Sequence, residues 1–223
     1  MARPYVILNA AMTLDGKIAT VAGDSKISCK RDLNRVHGLR ASVDAVIVGV
    51  GTVLADNPLL TVRRAKGKNP VRVIVDGEAR TPVDARVLDD SAKTIIAVTK
   101  RAPKRKLKEL RAAGAEVIVI GNRKVNLRRL LKRLHSLRVR RLLLEGGSTI
   151  NWGMLKQGLV DEVRVAVAPR IVGGVKAKSL VGGAGFAEVR NGIKLKLLNV
   201  KKIEKHILLT YRVWGAKGAK KAR

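Results

Sequence analysis

The sequence is poor in cysteine, histidine, aromatic residues and acids. Its one cysteine, Cys29, excludes an intrachain disulfide and a cysteine-based metal site, and such usage is typical of a reducing cytosol. The three histidines have no metal-ligand spacing, so no metal is expected. No apolar run approaches the roughly 20 residues of a membrane-spanning helix, and no signal peptide is recognisable. These absences predict a cytoplasmic protein without a membrane segment.

Acidic residues are scarce beside basic ones: 17 Asp and Glu face 47 Lys and Arg, which gives a net charge of +30. Nucleic acid, phosphorylated small molecules and a general enrichment in Lys and Arg each account for such a charge. Aromatic residues make up 2% of the chain, too few for extensive base stacking, and the basic residues are scattered along helical faces. The charge therefore indicates an anionic partner, and no specific nucleic acid is predicted.

Apolar runs alternate with amphipathic, charged segments along most of the chain. Strands are predicted for PYVILNAAM, DAVIVGVG, VRVIVDG, AKTIIAVTK, AEVIVIG, RRLLLEGG and DEVRVAVAPRI, and the last apolar stretch, IKLKLLNVKKIEKHILLTYRVW, predicts a hairpin. Helices lie between several of them, one capped by Asn126, one bounded by Pro103 and Gly114, and one closed by Gly158. The order predicts a mostly parallel sheet with an antiparallel C-terminal hairpin, in one domain over residues 1–213, followed by a basic tail over residues 214–223.

Sheets of this kind bind ligands at the carboxyl ends of their strands, and several polar segments begin there. After the first strand, Asp15-Gly16 is interpreted as a turn, and the following loop through Ser25 as a possible lid. After the second, TVLADNP predicts a single helical turn whose start can hold an anion. Thr52 and Asp56 lie four apart, on one face of that turn, and Arg63 beyond it can meet a phosphate. A capped turn and a solvated arginine explain the same residues.

Two other strands end on a carboxylate followed by glycine. Asp76 suits either a ribose hydroxyl or the capping of the next turn. Glu145 precedes Gly146-Gly147, and the helix that begins near Ser148-Thr149 offers free N–H groups to a diphosphate. A carboxylate repels such a phosphate, so Glu145 is expected to face a substrate hydroxyl or amino group. The alternative is that the glycines serve packing and Ser148 is the N-cap.

Four motifs together carry a resemblance to a known family. MTLDGKIA, GVGTVLADNPLLTVR, VRVIVDGEARTP and LLLEGGSTINWGML, followed by GLVDEVRVAVAPRIVGG, resemble the reductases of riboflavin biosynthesis, and most closely their stand-alone archaeal type. The resemblance extends from Pro4 to about Val213 and implies a dihydrofolate-reductase-like three-layer α/β sandwich. It implies a homodimer that uses NADPH, with NADH as an alternative, to reduce a phosphorylated ribosylamino-pyrimidinone to its ribitylamino form.

The resemblance also implies roles for individual residues. Apart from the resemblance, Glu145 and Asp56 are predicted to be catalytic because they are the carboxylates available for proton transfer, with ordered water as a third candidate. Cofactor contacts fall to Ala11, Ile27, Thr52, Asp56, Asp76, Gly77, Glu78, Ala79, Gly146, Gly147, Ser148 and Thr149. Substrate contacts fall to Asn9, Ser25, Arg40, Leu60, Arg63 and Glu145, with the two arginines on the 5′-phosphate.

The chain departs from the bacterial members in two ways. The zinc deaminase signature that those bifunctional enzymes carry is absent, so a deaminase would be a separate protein. Asn9 stands where they have lysine, which leaves the role of that lysine open here. Two rival functions are another reductase on the same fold and a basic RNA-associated protein.

Overall fold

The computed structural model describes residues 2–214. Most of the predicted tail therefore lies outside the described residues. Nine strands and five α-helices occur among the described residues: β1 (Tyr5–Thr13), α1 (Lys30–Ala41), β2 (Ala45–Gly49), α2 (Val50–Asp56), β3 (Val71–Val75), β4 (Thr94–Val98), α3 (Lys104–Ala112), β5 (Glu116–Val119), α4 (Leu127–Ser136), β6 (Arg141–Leu144), α5 (Ser148–Lys156), β7 (Glu162–Ala168), β8 (Leu195–Ile203) and β9 (His206–Val213).

The described residues fall into two compact units, and one of them comprises residues 2–4 and 37–143. Its strands lie in the order β5-β4-β3-β2-β6, and the pairs from β2 to β5 are parallel. The residues Ala45 to Val48 of β2 are all 0% exposed, as expected of a strand covered on both faces. The continuous apolar runs therefore predicted these central strands correctly.

The residues that flank α3 and α4 mark where these two helices begin and end. Asn126 caps α4, because its Oδ1 accepts a hydrogen bond of 3.0 Å from Arg129 N, and four leucines of that helix are buried. Gly114, with φ +89°, follows the end of α3, and Pro103 precedes its first residue. All three predictions are confirmed.

The other unit comprises residues 5–36 and 144–214, with strands in the order β1-β7-β9-β8. β1 and β7 are parallel, whereas β7, β9 and β8 pair antiparallel, so the predicted C-terminal hairpin is confirmed. The mostly parallel sheet with antiparallel C-terminal strands is thus the observed fold. The prediction of one domain over residues 1–213 stays a prediction.

The helix predicted to begin near Ser148-Thr149 does begin at Ser148, with Gly147 as its N-cap, so the alternative in which Ser148 is the N-cap is wrong. One prediction at a helix start was wrong: α2 is not a single turn from Thr52 but a seven-residue helix from Val50 to Asp56. The error lies at an element boundary, which depends on backbone angles that residue preference reflects weakly.

The long connection over residues 169–194 has little regular structure and is anchored to the loop after β1. Asp15 accepts hydrogen bonds from Gly173 N at 2.8 Å and from Thr13 Oγ1 at 2.5 Å. Gly16, with φ +77°, completes the predicted turn. The bond from Gly173 N therefore ties the connection to Asp15, a contact that the turn predicted for Asp15-Gly16 did not include.

No helix within residues 2–214 is long and apolar enough to cross a membrane. The same residues contain no group of three or more His, Cys, Asp or Glu side chains able to hold a metal ion.

Candidate active site

In the first unit, the two arginines assigned to the substrate phosphate converge on one residue. Arg40, in the last turn of α1, donates from Nη1 to Thr61 O at 3.1 Å. Arg63, in the loop after α2, donates from Nη1 to Thr61 Oγ1 at 3.0 Å. Thr61 is 4% exposed, so both arginines form their hydrogen bonds with a buried residue. The structure therefore brings together two cations that are distant in sequence.

The charges around Arg63 favour an anion. Burial lowers the pKa of the Arg63 guanidinium, and the positive charges of Arg40, Arg86 and Arg64 lower it further. A bound phosphate would offset this repulsion and accept hydrogen bonds from a planar guanidinium.

The backbone of the arginine loop is held by a buried histidine that the sequence did not single out. His37, in α1 and 4% exposed, accepts a hydrogen bond at Nδ1 from Arg63 N at 2.9 Å. Leu60 lies in the same loop with φ +54°, a left-handed conformation that is uncommon for leucine. The whole residue is 2% exposed, so in this structure Leu60 offers very little surface to a substrate.

Thr52 and Asp56 lie one helical turn apart on α2, as their spacing predicted. Thr52 is half-buried and Asp56 is exposed. Asn57 closes the helix in a left-handed conformation, and its N–H donates to Val53 O. A hydroxyl and a carboxylate thus lie on one face of a seven-residue helix that ends at Asn57.

The end of β3 shows how Asp76 is used. Its Oδ2 accepts hydrogen bonds of 2.7 Å from both N and Oγ1 of Thr81, and the residue is 0% exposed. Gly77, the exposed Glu78 and Ala79, with φ +57°, complete the turn. Asp76 therefore caps the turn, the alternative noted from its sequence, and its carboxylate has no surface for a ribose. A cofactor at this turn would contact the main chain and the exposed side chains.

Glu145 belongs to the second unit, directly follows the last residue of β6, and is half-buried. Gly146 follows with φ +94° and is joined to Gly147 by a cis peptide bond. Ser148 and Thr149 then form the first turn of α5, whose N-cap, Gly147, contributes no capping side chain. A nine-residue helix with an uncapped N-terminus is suited to an anionic ligand through its N–H groups and dipole.

Asn151 supports this glycine turn and was missed by sequence reasoning. It is 1% exposed, its Nδ2 donates to Leu180 O at 2.9 Å, and its N donates to Gly147 O at 3.1 Å. Its Oδ1 is buried without a hydrogen-bond partner in the described structure. A polar residue inside an apolar helical face was the only signal for it.

The remaining predicted residues of the second unit lie on β1 and in the loop before α1. Asn9 is 5% exposed and its buried Oδ1 has no hydrogen-bond partner among the described residues. Ala11 packs against the cluster of Ala166, Ile203 and Leu208. In the loop, Ile27 N donates to the carbonyl of the exposed Ser25, and Ile27 O lies 3.0 Å from His206 Nε2.

Comparison with known proteins relates these residues to a family. A family model described as the RibD C-terminal domain matches residues 4–209. A 2,5-diamino-6-ribosylamino-4(3H)-pyrimidinone 5′-phosphate reductase of Methanothermobacter thermautotrophicus is 55% identical, over 96% of this chain and 100% of that protein. A reductase of the same name from Aquifex aeolicus is 44% identical, over 88% of this chain and 91% of that protein.

Solved structures agree with the fold. RibD of Acinetobacter baumannii superposes with a TM-score of 0.82 at 30% identity, over 95% of this chain and 58% of that longer chain. A dihydrofolate reductase from Enterococcus faecalis superposes with a TM-score of 0.53 at 12% identity, over 94% of this chain and 96% of that one. At that identity the second match demonstrates a shared fold alone.

Proposed function

Because the chain belongs to the RibD C-terminal domain family, we propose that it reduces 2,5-diamino-6-ribosylamino-4(3H)-pyrimidinone 5′-phosphate to the ribitylamino form in riboflavin biosynthesis. The observation that carries the substrate assignment is the convergence of Arg40 and Arg63 on Thr61. Two guanidinium groups at one buried point suit a phosphate ester and would be superfluous for an uncharged sugar.

The cofactor belongs to the proposal as NADPH, with NADH as an alternative donor. When bound, it would supply a hydride to C1′ of the substrate ribose, opened as an imine. The chain fits such a dinucleotide at the uncapped start of α5, where Gly147, Ser148 and Thr149 can present N–H groups to a diphosphate. Ala11, Ile27, Thr52, Asp56 and the turn from Asp76 to Ala79 complete the proposed contacts.

Two carboxylates have proposed roles in the reaction. Glu145 orients the pyrimidine or ribosyl group, which is supported by its half-buried place directly before the glycine turn. Asp56 positions the nicotinamide riboside from its exposed place on α2. Either carboxylate, or an ordered water, can deliver the proton that accompanies the hydride.

The test of the phosphate site is Arg63→Ala, with Arg63→Lys as the conservative variant and the exposed Arg111→Ala as a control of equal charge change. Arg63→Ala should raise KM for the phosphorylated substrate about 10- to 100-fold, because charge-assisted hydrogen bonds are lost. With the dephosphorylated nucleoside, the variant and the wild type should react equally. An unchanged KM for the phosphorylated substrate in Arg63→Ala would remove the phosphate site from this proposal.

A homodimer is also proposed, and the outer face of the β8–β9 hairpin supports it. Leu195, Leu197 and Val200 are 44%, 50% and 54% exposed, and they pair with Val213, Tyr211 and Leu209 of β9 on one face of the hairpin. β8 is the last strand of its unit, and an uncovered apolar edge strand invites pairing. A second copy presents the same surface and can cover it by two-fold symmetry.

Light scattering after gel filtration tests the dimer. The double variant Leu197→Lys/Val200→Lys should elute with half the mass of the wild type, whereas Val175→Lys, at a fully exposed apolar residue elsewhere, should not change the mass. A wild type with the mass of one chain would contradict the dimer. A cytoplasmic location completes the proposal, supported by the lone Cys29.

A further inference from the structure

The outer face of α4 carries a concentrated positive charge. Between Glu116 and Glu145 the sequence has nine Lys and Arg and no Asp or Glu. Five of these cations are exposed on α4 or directly after its C-cap, and we call them the α4 surface: Arg128, Arg129, Lys132, Arg133 and Arg138. The proposed reaction gives no role to any of them, so their charge needs another explanation.

The preceding helix, α3, shows how a surface helix ordinarily carries charge. Its Arg105 Nη1 lies 3.3 Å from Glu109 Oε1, so part of its positive charge is neutralised within the helix. On α4, by contrast, Arg129, Lys132 and Arg133 form no ion pair with any residue in the part of the chain that the structure describes. Heat-adapted proteins gain networks of ion pairs, which accounts for α3 but not for α4.

The charges of α4 act against the helix itself in two ways. Arg129 lies three residues before Lys132 and four before Arg133, and like charges at these spacings repel each other. Arg128 and Arg129 also stand in the first turn, at the positive end of the helix dipole, where acids are favoured and α4 has none. Four buried leucines hold the helix in place despite this repulsion, and an anion on the outer face would relieve it.

The residue that follows the C-cap of α4 departs from residue preference in the same direction. Arg138 has φ +66°, a left-handed conformation, at the position where α3 is followed by Gly114 with φ +89°. Glycine adopts this conformation without the steric cost that a Cβ brings. Arg138 N nevertheless closes the turn by donating to His135 O at 3.1 Å. A fifth cation thus occupies a position where glycine would suit the backbone better.

The composition of the α4 surface selects among large anions. The leucines of α4 are buried, so the helix has no apolar face for a lipid bilayer. No aromatic or aliphatic residue of α4 is exposed, whereas the centre of a protein interface is usually built from such residues. Aromatic residues make up 2% of the chain, so stacking on the bases of a single strand is not available either. A nucleic-acid duplex needs none of these contacts, because it presents phosphates on its outside.

The length of α4 allows several phosphate contacts at once. Its 10 residues extend over about 15 Å. A DNA duplex carries roughly one negative charge per 1.7 Å of its axis, so about nine charges lie along that length. We infer that the α4 surface binds the phosphate backbone of a nucleic-acid duplex without reading its base sequence. This binding would add to the reductase activity and would share no residue with it.

The deciding variant of the full chain is Arg129→Ala/Lys132→Ala/Arg133→Ala. Its matched control, Lys104→Ala/Lys108→Ala/Arg111→Ala, removes the same number of charges from exposed positions of α3. Fluorescence anisotropy measures the binding of labelled DNA and RNA duplexes of mixed sequence between about 50 and 200 mM salt. The deciding variant should bind both duplexes about 10-fold or more weakly at low salt. Its slope of log affinity against log salt should fall by about 2–3, because each phosphate contact contributes about 0.9. The control should stay within about twofold of the wild type.

Thermal melting verifies that both triple variants are folded. The deciding variant should melt at or slightly above the temperature of the wild type, because repulsion within α4 is removed. Three results would overturn the assignment to the α4 surface: no duplex binding by the wild type at low salt, unchanged affinity in the deciding variant, or an equal loss in both triple variants. Polyglutamate that displaces the duplex as well as unlabelled duplex of equal charge would also overturn it, in favour of an acidic protein partner.

Discussion

The ends of β3 and β6 have the same sequence pattern and different structures. In each, an apolar run is followed by a carboxylate and a glycine: Val75-Asp76-Gly77 and Leu144-Glu145-Gly146. Asp76 is 0% exposed and accepts two hydrogen bonds from Thr81. Glu145 keeps exposed surface and precedes a glycine with φ +94°. The carboxylate of Asp76 is therefore buried inside its turn, whereas that of Glu145 keeps exposed surface.

The difference follows from chain length and local partners. An aspartate side chain is short enough to bind the backbone a few residues ahead, and Thr81 offers both an N–H and a hydroxyl there. After Glu145, two glycines lead directly into α5, so no hydroxyl residue lies at the same spacing before the helix begins. A carboxylate at a strand end therefore caps the following turn in the way of Asp76 only where a residue such as Thr81 follows at the right spacing.

The largest effect is expected from Glu145→Gln. Loss of the negative charge should lower kcat/KM about 100-fold or more, because an orienting or proton-transferring group is removed, while the melting temperature stays near that of the wild type. Steady-state kinetics and thermal melting measure both, with the surface variant Glu109→Gln as control. Retention of full activity and substrate affinity would contradict the role given to Glu145.

For Asp76→Ala the expected effect is a loss of stability. It leaves the N–H and hydroxyl of buried Thr81 without their acceptor, so the free energy of unfolding should fall by about 2–4 kcal/mol. Urea denaturation measures this loss, and Asp84→Ala, at an exposed aspartate, should change stability by less than about 0.5 kcal/mol. Equal stability of Asp76→Ala and the wild type would mean that the carboxylate is not a structural cap.

The glycines that follow the two carboxylates provide a smaller contrast. Gly146→Ala should destabilise the protein by about 1–2 kcal/mol, because an L-residue at φ +94° is strained. Gly77 lies outside the positive φ region and a Cβ there would meet Thr99 Cγ2 at 3.4 Å, so Gly77→Ala should cost less than about 0.5 kcal/mol. Urea denaturation of both variants measures how much each substitution lowers the free energy of unfolding. A larger loss in Gly77→Ala than in Gly146→Ala would contradict this expectation.

The smallest effect concerns Asp15, a third carboxylate that precedes a glycine near a strand end. Its hydrogen bond from Thr13 is the main cause that lowers its pKa below 3.8, and bonds from Gly173 and Val172 add to it. The carboxylate therefore stabilises the folded state above pH 3.8, and this contribution is lost as the pH falls through the lowered pKa.

The urea midpoint of Asp15→Asn should consequently lie slightly below that of the wild type at neutral pH and approach it in strong acid. A difference between the two proteins that does not change with pH would show that the charge of Asp15 is not what holds the connection over residues 169–194.

Much of the fold could be predicted because its signals are local. Continuous apolar runs located the central strands, and Asn126 and Gly114 located helix ends through their own backbone preferences. Of the helix starts, that of α5 at Ser148 was predicted correctly, whereas α2 begins two residues before Thr52. Of the candidate site, Arg63 was named from its place beyond the second strand and Arg40 from the family resemblance, but their meeting at Thr61 depends on packing.

The sequence by itself determined the order of strands and helices, since periodicity and capping act within a few residues. Only the tertiary structure decided that Asp76 is a cap while Glu145 keeps exposed surface. It also decided that His37 holds the loop of Arg63. The physical reason is that burial, charge repulsion and hydrogen-bond partners belong to residues that become neighbours only when parallel strands bring their carboxyl ends together.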